Sequence, residues 1–325
     1  MLLFDLYHTH GLAVNDSWYA ADNGVYHQYF LQFDYKKEPA EYQWSKQTIG
    51  HAVSTDLIRW KYEGTVIDCG SADWLDFGVA TGSIAKTDGV WTMIFTAKPT
   101  DPDKKGLAVA VSKDLRKWEV VGDGPVLSCH TYYKVVHNGR EHTARIMADP
   151  YVYPEPVDGY YHIFVNSHIS HYQPNERGGQ LVFVTKDFRH FETKTVAAVG
   201  FCDRIETPQV WKHGDRYYMY GGAVFGYEPV KPLEPAESYI EWIDWKAGSS
   251  INAIFAADSI DGPYKFLNEL RIPDDEKGNC MYIAKVLTDP NGEDVMLIND
   301  VPFGVRGPFR LIYSEREVRI SSLKA

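Results

Sequence analysis

The sequence is poor in cysteine and in basic residues, and it has no long apolar run. Its four cysteines lie far apart without a Cys-x-x-Cys pair, so we expect small buried residues and neither a zinc site nor a disulfide framework, with one long-range bridge as the alternative. The 33 lysines and arginines against 44 aspartates and glutamates give a net charge of −11. This charge argues against nucleic acid and anionic membranes as partners, since both attract basic surfaces.

No segment approaches the roughly 18 consecutive apolar residues of a membrane span, which predicts a soluble protein. The first ten residues, MLLFDLYHTH, lack a basic region and reach Asp5 too early for a signal peptide, so we expect a cytoplasmic protein or a chain already processed. No phosphate-binding loop or dinucleotide fingerprint occurs, and no set of metal ligands is evident. We therefore predict no cofactor and no metal.

Two short phrases recur along the chain in a fixed order. One is a Ser/Thr-x-Asp phrase that ends in an aromatic residue, at 53–60, 111–118 and 184–191. The other is a glycine turn followed by an aromatic-rich segment, and its five turn glycines are Gly24, Gly89, Gly159, Gly214 and Gly292. Self-similarity at spacings of 55 to 78 residues is typical of repeat architectures.

Each repeat predicts four antiparallel strands, because apolar and polar residues alternate and aromatic and β-branched residues are abundant. A chain of 325 residues exceeds the roughly 250–300 that one compact core serves, whereas strands repeated around an axis need no single large core. We predict an all-β, five-bladed β-propeller over residues 1–325, with one blade per turn glycine and no second domain. A pair of β-sandwiches is the alternative, but it does not predict repeated phrases in fixed order.

Three acidic residues fall at nearly the same place in three repeats. Asp16, Asp149 and Glu206 lie eight, ten and eight residues before the turn glycines of blades one, three and four. Blade two offers Asp76 farther away, and blade five only Asn279. Singly, each acid suits an ordinary turn or strand end, but like charges that converge on one channel are costly and typical of chemistry. Two carboxylates flanking a scissile bond are what glycoside hydrolysis requires.

Five segments resemble, in order, motifs of glycoside hydrolase family 32, the β-fructosidases, within a five-bladed superfamily that includes families 43 and 68. They are GLAVNDSWYAADNGVYHQYFLQ (11–32), IGHAVSTDLIRW (49–60), DFGVATGSIAKTDG (76–89), ADPYVY (148–153) and ETPQVW (206–211). The first is similar to the opening around the family's Asn-Asp pair. The third resembles its aromatic-Ser-Gly-Ser segment, and the last two resemble its Arg-Asp-Pro and Glu-Cys-Pro motifs.

The resemblance implies a retaining glycosidase that removes a terminal furanosyl residue, most simply β-fructofuranosyl, from a carbohydrate substrate. Asp16 would be the nucleophile, Glu206 the acid/base and Asp149 the stabiliser that binds hydroxyls of the ring. Aromatic rings pack on sugar faces, which favours two tryptophans near the motifs as stacking residues. The predicted substrate-binding residues are Asn15, Gln32, Asp76, Thr81, Trp18 and Trp44.

The departures from the family pattern leave alternatives open. Ala148 replaces the arginine of the Arg-Asp-Pro motif, which removes a contact to sugar hydroxyls and to the acid/base, and Thr207 replaces the cysteine. The family's C-terminal β-sandwich is not expected here. Ala148 favours an inverting arabinofuranosidase or xylosidase like family 43. A fructosyl-transferring enzyme and a non-catalytic glycan-binding propeller are further alternatives, and the sequence does not indicate an oligomeric state.

Overall fold

Five antiparallel sheets account for nearly all regular structure in this computed structural model. The structure describes residues 2–34, 36, 46–173, 175–225, 250–271, 280–301 and 303–322. Outside the sheets, these residues include one short helix, α1 (Leu6–His10), and one turn of 3-10 helix (Pro102–Lys104). No helix in this part of the chain is long and apolar enough to cross a membrane.

Each sheet forms one blade, and its strands follow one another in the chain except that the N-terminal strand joins the last blade. Blade one contains β2 (Leu12–Asp22), β3 (Val25–Asp34), β4 (Thr48–Ser54) and β5 (Lys61–Ile67). Blade two contains β6 (Gly78–Thr87), β7 (Val90–Lys98), β8 (Gly106–Ser112), β9 (Glu119–Val121) and β10 (Leu127–Ser128). Blade three contains β11 (Tyr132–His137), β12 (Arg140–Val152), β13 (Tyr161–Ile169), β14 (Gly178–Thr185) and β15 (Glu192–Ala198). Blade four contains β16 (Arg204–His213), β17 (Arg216–Val224), β18 (Ser250–Ala257) and β19 (Lys265–Glu269). Blade five contains β20 (Cys280–Thr288), β21 (Asp294–Val301), β22 (Gly304–Tyr313), β23 (Val318–Ser322) and the N-terminal β1 (Leu2–Asp5).

The blades close into a ring around five inner strands. Strand β2 contacts β6, β6 contacts β12, β12 contacts β16, β16 contacts β20, and β20 contacts β2. The N-terminal strand β1 pairs antiparallel with β22 of blade five, with Phe4 opposite Val305. This pairing joins the beginning of the described chain to its last blade. The predicted five-bladed β-propeller is confirmed.

The turn glycines connect the inner strand of each blade to the second strand. Gly24 (φ +76°) follows Asn23 (φ +51°) in the two-residue turn between β2 and β3. Positive φ at both positions is the type I′ geometry that matches the right-handed twist of a hairpin, and glycine adopts it without a steric penalty. The other four turn glycines also have positive φ and occupy the same place in their blades.

The repeated Ser/Thr-x-Asp phrase forms a tight turn between the third and fourth strands of a blade, counted from its inner strand. In blade one, the Ser54 hydroxyl accepts the backbone N–H of Leu57 at 2.9 Å. The Asp56 carboxylate accepts the N–H groups of Ile58 and Arg59 at 2.9 and 2.8 Å. These bonds hold Leu57 at φ +61° with its side chain fully buried. Blades two and three repeat the arrangement at 112–117 and 185–190.

The hydrophobic core consists of five layers, one between each pair of neighbouring blades. Each layer has at least one large side chain that is at most 1% exposed: Tyr29, Phe183, Phe164, Tyr220 and Phe30. Burying such a side chain stabilises the fold by about 1.5–3 kcal/mol. Because this apolar burial lies between blades, the fold does not depend on a single central core.

The cysteines follow the prediction in part. Cys129 and Cys202 are buried, as expected for small apolar residues. Cys69 is exposed, so the prediction was wrong there, because it lies in the loop that leads from blade one to blade two. The side chain of Cys280 is outside the described part of the chain.

Candidate active site

Every inner strand carries a β-bulge or an irregular register at the same depth. The irregularities fall at Val14/Ser17 in β2, Ala80/Gly82 in β6, Ala148/Pro150 in β12, Glu206/Gln209 in β16 and Tyr282/Ala284 in β20. Bulges re-aim side chains that a regular strand would direct along its alternating faces. The residues at these five bulges therefore point toward a common space.

That space is a cavity of about 300 Å³ at one end of the channel. Its polar lining includes Asn15, Asp16, Gln47, Thr81, Lys98, Asp149, Glu206 and Tyr282. Its apolar lining includes Leu31, Ala80, Ile283 and Val301. All five blades contribute, and the three acids predicted to converge do line one pocket.

Asp16 is held by blade two. The Thr81 hydroxyl donates a hydrogen bond to Asp16 Oδ2 across the interface of blades one and two. Burial, together with the nearby charge of Asp149, raises the pKa of Asp16 to about 6, although Thr81 and two lysines act in the opposite direction. Asp16 is therefore largely ionised at pH 7.

Asp149 is fixed through both its backbone and its carboxylate. Its N–H donates to the Thr96 hydroxyl at 3.1 Å, and its φ of +58° belongs to the bulge in β12. Its Oδ2 accepts the backbone N–H of Thr207 at 3.2 Å and the side-chain amide of Asn166 at 3.5 Å. These contacts connect blade three with blades two and four and orient the carboxylate in the pocket.

Glu206 has the most perturbed carboxyl in the pocket. The Tyr282 hydroxyl donates to Glu206 Oε2 at 2.9 Å, and the Arg204 guanidinium lies 3.5 Å from Oε1. Burial and the charge of Asp149 raise the pKa of Glu206 to about 8, while Arg204 and Tyr282 oppose that rise. Glu206 is thus largely protonated at pH 7, where Asp16 is ionised.

Two buried lysines lie near the acids. Lys98, from blade two, lines the pocket and is 3% exposed. Lys285, from blade five, donates to the backbone carbonyls of Thr207 and Pro208 at 2.8 and 3.1 Å and lines a second cavity farther along the channel. Burial lowers the pKa of each lysine to about 8, and the charges of Asp16 and Asp149 oppose that change. The lysines balance part of the negative charge of the pocket.

Among the predicted substrate-binding residues, Asn15 and Thr81 line the pocket. The side-chain amide of Asn15 has no hydrogen-bond partner within the described residues. Thr81 lies eight residues before its turn glycine, so it, and not Asp76, is the blade-two equivalent of the acids. Asp76 is exposed on the loop before β6, where its carboxylate accepts the N–H of Thr100 at 2.7 Å.

Gln32 and Trp18 do not line the carboxylate pocket. Gln32 is 3% exposed and bonds to Tyr62 and Thr65 within blade one. Trp18 is 3% exposed and packs against Tyr29 between blades one and two, because the bulge at Asp16 places it farther along the channel. It lines the second cavity, so the structure corrects its prediction as a stacking residue in this pocket. Trp44 lies outside the described residues.

The sequence prediction missed four side chains around the acids: Arg204, Tyr282, Lys98 and Lys285. Two of them carry a usable signal. Lys285 interrupts the apolar inner strand β20, and Arg204 precedes Glu206 by two residues, which places both on one face of a strand. In the described part of the chain, no group of three or more His, Cys, Asp or Glu residues could hold a metal ion.

Residues 14–200 match the N-terminal domain of glycosyl hydrolases family 32. The chain belongs to this family. The match confirms the family predicted from the motifs, and it makes the protein a member of a glycosidase family. It includes Asp16 and Asp149 and ends just before Glu206.

Individual proteins are similar to this chain in sequence or in fold. A bifunctional 6(G)-fructosyltransferase/2,1-fructan:2,1-fructan 1-fructosyltransferase of Allium cepa is 29% identical over 250 residues, which are 70% of this chain and 37% of that protein. The chain thus spans well under half of that relative. Bacillus subtilis levansucrase has a similar fold, with a TM-score of 0.67 at 16% identity over 99% of this chain and 88% of that one. A thermostable family-43 glycoside hydrolase gives 0.62 at 14% identity over 96% and 94%.

Proposed function

We propose that this family 32 protein is a retaining glycosidase that releases a terminal furanosyl residue, with β-fructofuranosyl as the preferred sugar. The observation that carries the proposal is the division of labour between two carboxyls in one pocket. Asp16 has a pKa of about 6 and Glu206 a pKa of about 8, so at pH 7 one is a base and the other an acid. Glycoside cleavage requires this pair of states.

In the first step, the ionised carboxylate of Asp16 attacks the anomeric carbon while the carboxyl of Glu206 gives its proton to the departing oxygen. The bond from the anomeric carbon to that oxygen breaks, and a glycosyl ester forms on Asp16. Glu206 is then a carboxylate, and it takes a proton from water as the water attacks the anomeric carbon. This second step frees Asp16 and restores the proton on Glu206.

Asp149 is proposed to bind ring hydroxyls. Its carboxylate lines the pocket and is oriented by the Thr207 N–H and the Asn166 amide. The Asn15 amide, which lines the same cavity, is a second group for sugar hydroxyls. The fructosyl preference rests on the family match and on the name of the Allium cepa relative.

The proposal is tested with a panel of natural and aryl furanosides and pyranosides. Asp16→Asn and Glu206→Gln are each expected to lower kcat by several orders of magnitude while circular dichroism shows a folded protein. Asp76→Asn is the matched control, because Asp76 is an exposed carboxylate outside the pocket. Unchanged turnover in either pocket variant would refute its assigned role. Calorimetric binding of glycosides without any hydrolysis would favour a glycan-binding propeller instead.

An inverting reaction is the second candidate, favoured by Ala148 and by the fold shared with a family-43 glycoside hydrolase. In that reaction Asp16 would act as a general base on water, and no glycosyl ester would form. Proton NMR of the first-formed anomer separates the two: retention supports a nucleophilic Asp16, and inversion supports a base. Products that carry acceptor sugars would identify a transferring enzyme.

A further inference from the structure

We propose that Arg204 is the positioning residue of the acid/base Glu206. This proposal rests on the function proposed for Glu206 above. In this chain Ala148 stands where the family motif leads one to expect an arginine beside Asp149. Arg204 supplies a guanidinium from blade four instead. The guanidinium beside the acid/base therefore comes from β16, the strand of Glu206, and not from β12, the strand of Asp149.

The geometry of β16 directs Arg204 at Glu206. The two residues are two positions apart in a stretch of β16 that pairs regularly with β17, so their side chains leave the same face. Arg204 Nη1 lies 3.5 Å from Glu206 Oε1, and the residues are only 5% and 6% exposed. The attraction between Arg204 and the ionised form of Glu206 is shielded from water at this burial and is therefore screened little by salt.

The guanidinium belongs to a short row of charged side chains. Arg204 Nε lies 3.6 Å from Oδ2 of Asp203, which is fully buried, and Asp203 Oδ1 accepts a hydrogen bond from Arg177 Nε at 3.0 Å. Charges therefore alternate from Arg177 through Asp203 and Arg204 to Glu206. Because Asp203 is already paired with Arg177, it neutralises the charge of Arg204 only in part, and the remaining positive charge acts on Glu206.

Different cations of the site act on Asp16 and on Glu206. The groups that act on Glu206 are Asp149, Arg204, Tyr282 and Asp16. Lys98 and Lys285 act instead on Asp16, and each is also influenced by Asp149. Among the groups that act on Glu206, Arg204 is the cation, and it stabilises the charged form that Glu206 takes after giving its proton to the leaving oxygen. Arg204 and Tyr282 also bind different oxygens of the carboxyl and so fix its orientation.

The test compares Arg204→Gln and Arg204→Lys with Arg116→Gln, a control in which a half-exposed arginine paired with Glu63 is neutralised. The first readout is the alkaline midpoint of the pH dependence of kcat/KM. The second needs no substrate: it is the infrared band of the protonated carboxyl, identified by its loss in Glu206→Gln and followed against pH.

We expect Arg204→Gln to raise both midpoints by about one to three pH units, the range for loss of an opposite charge at this distance. We also expect kcat to fall about tenfold or more, with little change in KM, because a weaker acid donates its proton more slowly. Arg204→Lys should keep the midpoint and lose part of kcat, and Arg116→Gln should match the wild type. An unshifted midpoint in folded Arg204→Gln would overturn the proposal.

If Arg204→Gln does not fold, Asp203→Asn tests the same idea with the opposite sign. It removes the negative charge that partly neutralises Arg204, so the full charge of Arg204 acts on Glu206. The pH midpoint of the Glu206 infrared band must then fall, and a midpoint that stays or rises contradicts the proposal. The two proposals fail separately. If the infrared midpoint of Glu206 shifts in the variant but the protein hydrolyses no glycoside, only the proposed function is refuted. If the protein hydrolyses glycosides but the midpoint does not shift, only the role of Arg204 is refuted.

Discussion

Replacement of Glu206 by glutamine is expected to stabilise the folded protein at neutral and alkaline pH, although it removes the proposed acid/base. The carboxyl is 6% exposed, and burial together with the charge of Asp149 opposes its ionisation. Glutamine has the same shape, carries no charge and can still accept the hydrogen bond from Tyr282. The substitution therefore removes an unfavourable charge without opening a cavity.

The size and sign of the effect follow from the two pKa values of Glu206. The ordinary value is 4.5, and the folded protein raises it to about 8. Below pH 4.5 the carboxyl is protonated whether the chain is folded or unfolded, so it has no effect on stability. Between these values only the unfolded chain ionises, and stability falls by about 1.4 kcal/mol per pH unit. The cost is on the order of 3 kcal/mol at pH 7 and approaches about 5 kcal/mol above pH 8.

The assay is urea denaturation of wild type and Glu206→Gln at pH 4.5, 7 and 8.5. The matched control is Glu63→Gln, the same substitution at a carboxylate whose pKa is lowered by a hydrogen bond from Lys61, with further help from the charges of Lys61 and Arg116. A carboxylate whose pKa is lowered in the folded protein stabilises the fold at pH values above its ordinary pKa. Glu63→Gln should therefore be less stable than the wild type at pH 7, and the difference should become smaller in acid. The two variants are expected to change in opposite directions as pH rises.

The reasoning is refuted if the difference between Glu206→Gln and wild type is the same at all three pH values. It is equally refuted if Glu206→Gln becomes the less stable protein at pH 8.5. A gain that grows with pH and vanishes near pH 4.5 is the expected result.

Three further predictions concern catalysis. The pH dependence of kcat/KM should be bell-shaped, with midpoints near 6 for Asp16 and 8 for Glu206 and a roughly tenfold fall per pH unit outside them; an acid midpoint near 4 contradicts the assignment. Tyr282→Phe removes a donor that lowers the pKa of Glu206, so the alkaline midpoint should rise and kcat should fall on the order of tenfold in steady-state assays, whereas a wild-type profile would exclude this role. Gly222→Ala would place a methyl group against the Tyr282 ring and hydroxyl, so its kcat should fall at least as far. Gly124→Ala faces open space and should keep the wild-type rate, and equal rates in the two glycine variants would argue against the displacement of Tyr282.

The five blades could be predicted because their evidence is local in the chain. Each blade needs a turn with positive φ after its inner strand, and each of the first three needs a capped turn after its third strand. Glycine, serine or threonine, and aspartate meet those needs at fixed spacings, so the repeats are visible in the sequence. Counting back from the turn glycines also identified the three acids, because equivalent blade positions reach the same end of the channel.

Counting back from the turn glycine of blade two also identifies Thr81 as the equivalent of the three acids. The count does not show which side chains from different blades are in contact. Arg204 and Tyr282 meet at Glu206 only because blades four and five are packed side by side. Lys98 and Lys285 approach Asp16 from blades two and five, which are distant from it in the chain. Trp18 looked like a pocket residue from its proximity to Asp16, but a bulge directs it into the core.

The sequence by itself thus determined the fold class, the number of blades, the family and which three acids line one pocket. Hydrogen bonding in turns and the alternation of strands act over a few residues and leave a direct pattern in the chain. Only the tertiary structure decided which acid is protonated at neutral pH and which cation serves it. Protonation depends on burial and on charges a few ångströms away, and those neighbours come from different blades.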